Sequence, residues 1–153
     1  MSLKEKISAD AVAAMKRQDK PVLDTLRMLK SKILEEEVKL RTRKGKDYQL
    51  SDNEALEVIA SYAKQRKQSI DAYTEAGRED LAAREKKELE LINQYLPEQL
   101  SREEIEKLVG DVIAETGAES LKDMGMVMKA VMPKFKGAAD GKLVNEVVRS
   151  KLG

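Results

Sequence analysis

Residues Ser51–Pro97 read SDNEALEVIASYAKQRKQSIDAYTEAGREDLAAREKKELELINQYLP, and the period of their apolar side chains decides the fold class. Leu56, Ile59, Tyr62, Ala63 and Ile70 recur mainly at three- and four-residue steps, which places them on one face of a helix; a half-buried strand would alternate in twos instead. Ser51 and Glu54 have the spacing of a capping box, in which the hydroxyl accepts from the third helical N–H while the carboxylate reaches back to the serine N–H. Gly77 is suited to stop that helix, because glycine enters the left-handed conformation of a helix C-terminus without a Cβ clash. A second helix is predicted from near Arg78, carrying Leu81, Leu89, Ile92 and Leu96 up to Pro97, which disfavours helical geometry in the residue before it. The two should fold back on each other as an antiparallel hairpin.

The same signals extend in both directions. Ser2 with Glu5 predicts a capped first helix of roughly 15 residues. Pro21, at a first helical position, opens a long helix whose stripe is Val22, Leu26, Leu29, Ile33 and Leu40 and which ends near Gly45. Beyond Pro97 a third capping-box spacing, Ser101 with Glu104, starts a helix with Ile105, Leu108, Val109, Val112 and Ile113, ending at Gly117. Two more follow, one carrying Met124, Val127, Met128 and Val131, the other Leu143, Val144, Val147 and Val148. The expected architecture is all-α: an N-terminal helical hairpin or bundle module over 1–96, then a small three-helix module over 97–153. A module that small buries too little surface to be more than marginally stable, so it is expected to lean on a partner or on the first module.

Composition narrows the function. Of 153 residues, 37% are charged and 41% hydrophobic, but only 3% are aromatic, with one Phe and no Trp. The core must be Leu, Ile, Val, Met and Ala, which suits helix-on-helix packing. No apolar run approaches the ~18 residues of a membrane span, and the start MSLKEKISAD has no hydrophobic signal segment, so a cytoplasmic location without membrane contact is expected. There is no Cys and no His. That excludes disulfides, Cys/His zinc sites, a thiolate nucleophile and an imidazole base. Carboxylates, Lys, Tyr and Ser/Thr remain, and a hard ion held by oxygens is the only metal such donors suit. No cofactor and no catalytic residue is assigned, and a stand-alone enzyme is the less expected class.

The stretch DMGMVMKAVMPKFKGAADGKLVNEVV, Asp123 to Val148, is the most distinctive. GAADGKL superficially resembles a phosphate-binding P-loop, but three residues separate Gly137 from Gly141 where that loop needs four, Leu143 replaces Ser/Thr, and no strand precedes. Its methionines, at helical spacing, read as core rather than as a peptide groove. The lysines are different. From Ser120 to Gly153 there are seven Lys/Arg against three Asp/Glu, while the rest of the chain has 22 against 25. Lys129, Lys134, Lys136 and Lys142 cluster around the Pro133–Gly141 connection, where Gly137 permits close backbone approach and the last helix offers its positive end. This is a candidate phosphate-backbone cradle; a solvated lysine-rich turn is the plainer alternative. KLRTRKGK, Lys39–Lys46, has five Lys/Arg in eight residues, either an RNA-contacting tip or cations favouring a helix C-terminus.

The segment DMGMVMKAVMPKFKGAADGKLVNEVVRSKL, together with LRMLKSKI and KQRKQSIDAYTEAGREDLAAREKKELELINQYLPEQLS, resembles the YqeY-like family, whose chain is similar to the tail domain of the B subunit of the tRNA-dependent aspartyl/glutamyl amidotransferase. Val127-Met128-Lys129 and Lys136-Gly137 match that tail, and Gly125, Asp140, Gly141 and Asn145 agree with the family pattern. The free-standing family often has Gly in place of Lys129 and a basic residue in place of Ala138, so one cradle charge is missing here. Gly125 reads as a close helix-packing position and Asp140 as an N-cap.

What the resemblance implies is two helical modules without an active site, and a tail that helps engage tRNA while the glutaminase and transamidase chemistry lies elsewhere. The implied partners are tRNA and components of a tRNA amidotransferase or aminoacyl-tRNA synthetase assembly. The family label, a carbon–nitrogen ligase with glutamine as amido-N-donor, implies amidotransferase activity, for which the chain's residues supply no basis. A protein-interaction adaptor without RNA binding is the competing class. With so few aromatics, RNA recognition would run through phosphates and shape rather than base stacking.

Overall fold

A computed structural model describes residues 1–153, and its regular structure is entirely helical. The elements are α1 (Leu3–Lys16), α2 (Lys20–Lys44), α3 (Asp52–Glu75), α4 (Glu79–Asn93), α5 (Arg102–Thr116), a 3-10 turn (Leu121–Asp123), α6 (Met124–Phe135) and α7 (Gly141–Leu152). The chain packs as two units, Met1–Leu96 and Pro97–Gly153.

In the first unit, α1 and α2 form one antiparallel hairpin and α3 and α4 another. Both predicted capping boxes form, Ser2 with Glu5 and Ser51 with Glu54. Pro21 lies one position further in than expected, because Asp19 takes the cap and accepts from the Val22 N–H at 3.5 Å. The α1–α2 turn puts Gln18 at φ 58°, a left-handed conformation that glycine would adopt at lower cost. Gly77, at φ 74°, makes the corresponding turn after α3, where the Arg78 N–H reaches back to the Tyr73 carbonyl at 2.8 Å. Helix α4 stops at Asn93, short of the expected Pro97; Tyr95 and Leu96 take tight turns bonded to Ile92 and Asn93. Pro97 disfavours helical geometry at Leu96, but the helix has already ended three residues before that position.

The core of this unit joins Ile7, Leu26, Leu29, Ile33, Ile59 and Ile92. Leu56 is only half-buried, and Ala55 takes the interior position instead. Two buried positions are not apolar, Thr25 and Glu37, and the second carries a charge. Glu37 continues the α2 stripe from Ile33 to Leu40 and is only 3% exposed. Its Oε1 accepts from the Lys4 ammonium and, at 3.1 Å, from the Leu50 N–H, while Arg41 stands 3.7 Å from Oε2. Burial alone would raise its pKa, but these donors and the charges of Lys4 and Arg41 hold the carboxyl below its ordinary value. Glu37 thereby ties α1, α2 and the segment leading into α3 together. Tyr95 closes the other side, donating to Asp10 Oδ2 at 2.5 Å.

The second unit is a three-helix bundle of α5, α6 and α7 around Ile105, Val109, Val127, Val131, Phe135, Val144 and Val147. Ser101 caps α5 by accepting from the Glu104 N–H at 3.2 Å, but its hydroxyl also donates to the Glu104 carboxylate, so the third capping box is only half made. Leu108 is 37% exposed, off the inner face expected for it. The methionines are not the core: Met124 and Met128 pack at its edge, and Met126 and Met132 are exposed. Valine and Phe135 fill the interior instead. Gly125 is also not a packing position, since a Cβ built there would meet nothing within 4 Å.

Candidate nucleic-acid interface

The α6–α7 connection is shorter than the sequence suggests. Pro133 lies inside α6, which continues to Phe135. A proline removes one helical N–H and crowds the carbonyl four residues back, here that of Lys129. The helix survives because Val131 and Phe135, one turn apart and fully buried, anchor both sides of Pro133, while Pro133 itself is exposed. The connection proper is Lys136–Asp140.

That connection is fastened from within. Gly137 turns at φ 75°, and its carbonyl accepts from Gln99 Nε2 at 2.7 Å. Ala138 is buried, and its carbonyl accepts from the Leu100 N–H at 2.9 Å. Asp140 caps α7, accepting from the Lys142 N–H at 3.1 Å. The positive end of α7 therefore already faces a carboxylate, and the loop backbone is largely committed to the fold. Any anion recognition in this region must come from the lysine side chains.

Those side chains do not share one surface. Lys129, Lys134, Lys136 and Lys142 are all exposed, and Gly137 is half-buried. At 100° per residue, Lys134 lies about 140° around α6 from Lys129. Lys129 and Lys136 fall on nearly one line, and Lys142 is in the first turn of α7. Lys129, Lys134 and Lys142 enter no salt bridge. Lys122, absent from the cluster expected from the sequence, is exposed on the 3-10 turn seven residues before Lys129. The seven-residue repeat Lys122, Lys129, Lys136 is the sequence signal that points to it.

The second basic run behaves differently. In Lys39–Lys46, Lys39 pairs with Glu36 at 3.6 Å, and Arg41, besides its Glu37 contact, donates to the Tyr48 carbonyl at 3.3 Å. Lys44 lies 3.5 Å from Glu54 and 4.8 Å from the centre of the Tyr48 ring. A hydrogen bond with the Tyr48 hydroxyl and the Glu54 charge raise the Lys44 pKa. Tyr48 donates to Glu54, whose carboxyl is held down to about 2 by that bond first and by the Ser51 N–H next. Much of this run is thus folded against the helix end it follows.

Two open grooves lie in the first unit. One, of about 380 Å³ between α2 and α3, has Lys32, Lys39, Glu54 and Glu57 among its walls. The other, of about 1020 Å³ between the start of α2 and α4, is lined by Lys20, Asp24, Asp80, Arg84, Lys87 and Glu88 among others. Burial and the Glu85 charge raise the Glu88 pKa against the pull of Arg66. Both grooves mix the two signs of charge and present no single-sign field to a polyanion. No three carboxylates converge where a metal ion would sit, and no helix is long and apolar enough to cross a membrane.

A family model described as "Yqey-like protein" matches residues 4–152. The chain is 28% identical over 151 residues, 97% of its length and 80% of the relative's, to "Altered inheritance of mitochondria protein 41, mitochondrial" of Pyrenophora tritici-repentis. It is 35% identical over 124 residues, 78% of its length, to the E subunit of the glutamyl-tRNA(Gln) amidotransferase of Sulfurisphaera tokodaii, but covers only 19% of that protein. With the corresponding E subunit of Thermococcus gammatolerans the likeness is 40% over 57 residues, 35% of this chain and 9% of the relative.

Proposed function

Because the chain belongs to the YqeY-like protein family, in which it is related to a short part of the glutamyl-tRNA(Gln) amidotransferase E subunits, we propose that it is an accessory, tRNA-associated helical protein of the cytoplasm, without catalytic activity of its own. The observation that carries this reading is the contrast between the two basic regions. Lys39, Arg41 and Lys44 of the α2 end are paired with Glu36, Glu37 and Glu54 inside their own unit, leaving only Arg43 and Lys46 exposed and unpaired there, whereas Lys129, Lys134 and Lys142 all stand exposed and unpaired. Unpaired lysines add nothing to a small bundle's stability, and they are what a phosphate backbone recruits. Recognition of this kind is weak, salt-sensitive and reads shape rather than sequence. Components of a tRNA amidotransferase or an aminoacyl-tRNA synthetase are the proteins beside which such a module would work.

The test is tRNA binding by fluorescence anisotropy across a salt series, with Lys129, Lys134, Lys136 and Lys142 changed together to Gln. If all four meet phosphates, the slope of log affinity against log salt falls by about three units, at roughly 0.7–0.9 per contact, while the helical circular dichroism is retained. Unchanged binding in that variant removes this group of lysines from the interface. A second reading is favoured by Met126 and Met132, which are 48% and 40% exposed: flexible, polarisable side chains of this kind suit a protein partner, and a complex that persists at high salt would support the adaptor.

A further inference from the structure

We infer that the RNA-facing surface is the outer face of α6 and its two flanks, running from Lys122 on the 3-10 turn through Lys129 to Lys136 just past the helix, and that Lys134 is not part of it; this rests on the tRNA-associated reading above. The 3-10 turn runs directly into α6 and Lys136 directly follows it, so at about 120° and 100° per residue the three lysines stay within about 40° of one line. At about 2.0 Å per residue in the 3-10 turn and 1.5 Å in α6 they stand roughly 10–12 Å apart along it. Between Lys122 and Lys129 the row passes Gly125, which is exposed and where an added Cβ would meet nothing within 4 Å. Glycine is a poor helix residue and no neighbour in the fold requires it here, but it leaves the backbone open to close approach from outside. Met126 and Met132 flank the row and are exposed, placed to rest against sugar edges such as the shallow minor groove of A-form RNA presents.

Charge selects the occupant. Between Lys122 and Lys136 the one acid is Asp123, whose Oδ2 is turned to the Glu119 N–H at 2.9 Å. On α5, by contrast, Glu103, Glu104, Asp111 and Glu115 are exposed. The bundle is therefore polarised, acidic along α5 and basic along α6 and along α7 with its Lys142, Arg149 and Lys151, and a polyanion orients it with α5 outward. Lys134, about 140° around the helix from Lys129, faces away from that contact.

Two pairs of substitutions in the full-length chain test this, read by anisotropy of fluorescent unfractionated tRNA. Lys122→Gln with Lys129→Gln should lower the salt slope by about 1.4–1.8 and the affinity at 0.1 M salt by about 25- to 60-fold; Arg102→Gln with Lys107→Gln, two exposed cations of α5, should change affinity by less than about threefold. Gly125→Glu puts a carboxylate into the row at a position with room for it, and should weaken binding severalfold with unchanged circular dichroism, while Gly125→Ala binds normally. Equal losses from the two pairs, or no effect of Gly125→Glu, would overturn the α6 face and leave tRNA association standing. Absence of tRNA binding by the unsubstituted protein at low salt would remove that parent reading. Displacement of tRNA by polyglutamate at matched charge concentration would make the face a site for acidic proteins and overturn its assignment to RNA.

Discussion

Replacing Glu37 should test whether the first unit is held together by a charge buried in an otherwise apolar stripe. Glu37→Ala removes three things at once: the acceptor of the buried Leu50 N–H, the partner of Lys4 and the partner of Arg41. An orphaned buried N–H costs about 1–3 kcal/mol. The Lys4 and Arg41 side chains are 30% and 34% exposed, so their pairs are discounted for solvent screening to about 1 kcal/mol together. The expected loss is about 3 kcal/mol, or a fall in Tm of roughly 12–24 °C for a unit of this size. Glu37→Gln keeps an acceptor for Leu50 and removes the charge, so it should lose only about 1 kcal/mol. All four tyrosines, Tyr48, Tyr62, Tyr73 and Tyr95, lie in the first unit and there is no Trp, so tyrosine fluorescence during urea unfolding of the whole chain reports on that unit alone. The pH dependence has a definite sign. Because the native pKa of Glu37 lies below its ordinary 4.5, its contribution is complete above about pH 4.5 and is lost as pH falls through the native value. The gap between the wild type and Glu37→Gln should therefore close on acidification. A gap that is the same at pH 7 and pH 3, or an Ala variant no worse than the Gln variant, would refute the reasoning.

Limited proteolysis should cut between Tyr95 and Arg102, and the isolated 1–96 fragment should remain helical by circular dichroism; complete unfolding of that fragment would count against two separable cores. Gly110→Ala, in the middle of α5 where the new methyl would meet only the flexible end of Lys151 at 3.7 Å, should stabilise the second unit by about 0.5–1 kcal/mol in thermal melts, and destabilisation would mean that Lys151 cannot give way there. Gln18→Gly should gain up to about 1 kcal/mol by relieving the left-handed turn, read from the tyrosine transition. With glutamine, ATP and misacylated tRNA, the pure protein should release no ammonia and form no amide; glutamine hydrolysis above background would restore the ligase implied by the family label.

The helical fold was legible because its determinants are local. Stripes such as Leu26, Leu29 and Ile33, the boxes at Ser2 and Ser51, and the stops at Gly77 and Gly117 act over three or four residues, and a helix needs nothing more distant to be recognised. Pro133 shows where such local signals mislead. Alone it marks a helix end, and only the burial of Val131 and Phe135 on the opposite side shows why α6 continues through it.

What the chain's order of residues could not state was which polar groups would be spoken for. Glu37 looks like an ordinary surface residue until Lys4, 33 positions earlier, and Leu50, 13 later, converge on it. Lys39, Arg41 and Lys44 look as available as the cations of α6 until Glu36, Glu37 and Glu54 fold against them. Gly125 suggested a crowded contact and faces open space; Met126 and Met132 suggested core and lie outside it. Periodicity is a property of one helix and can be read along the sequence. Neutralisation and exposure are properties of pairs and faces brought together by packing, so the tertiary structure alone decided which lysines remain free to meet a partner.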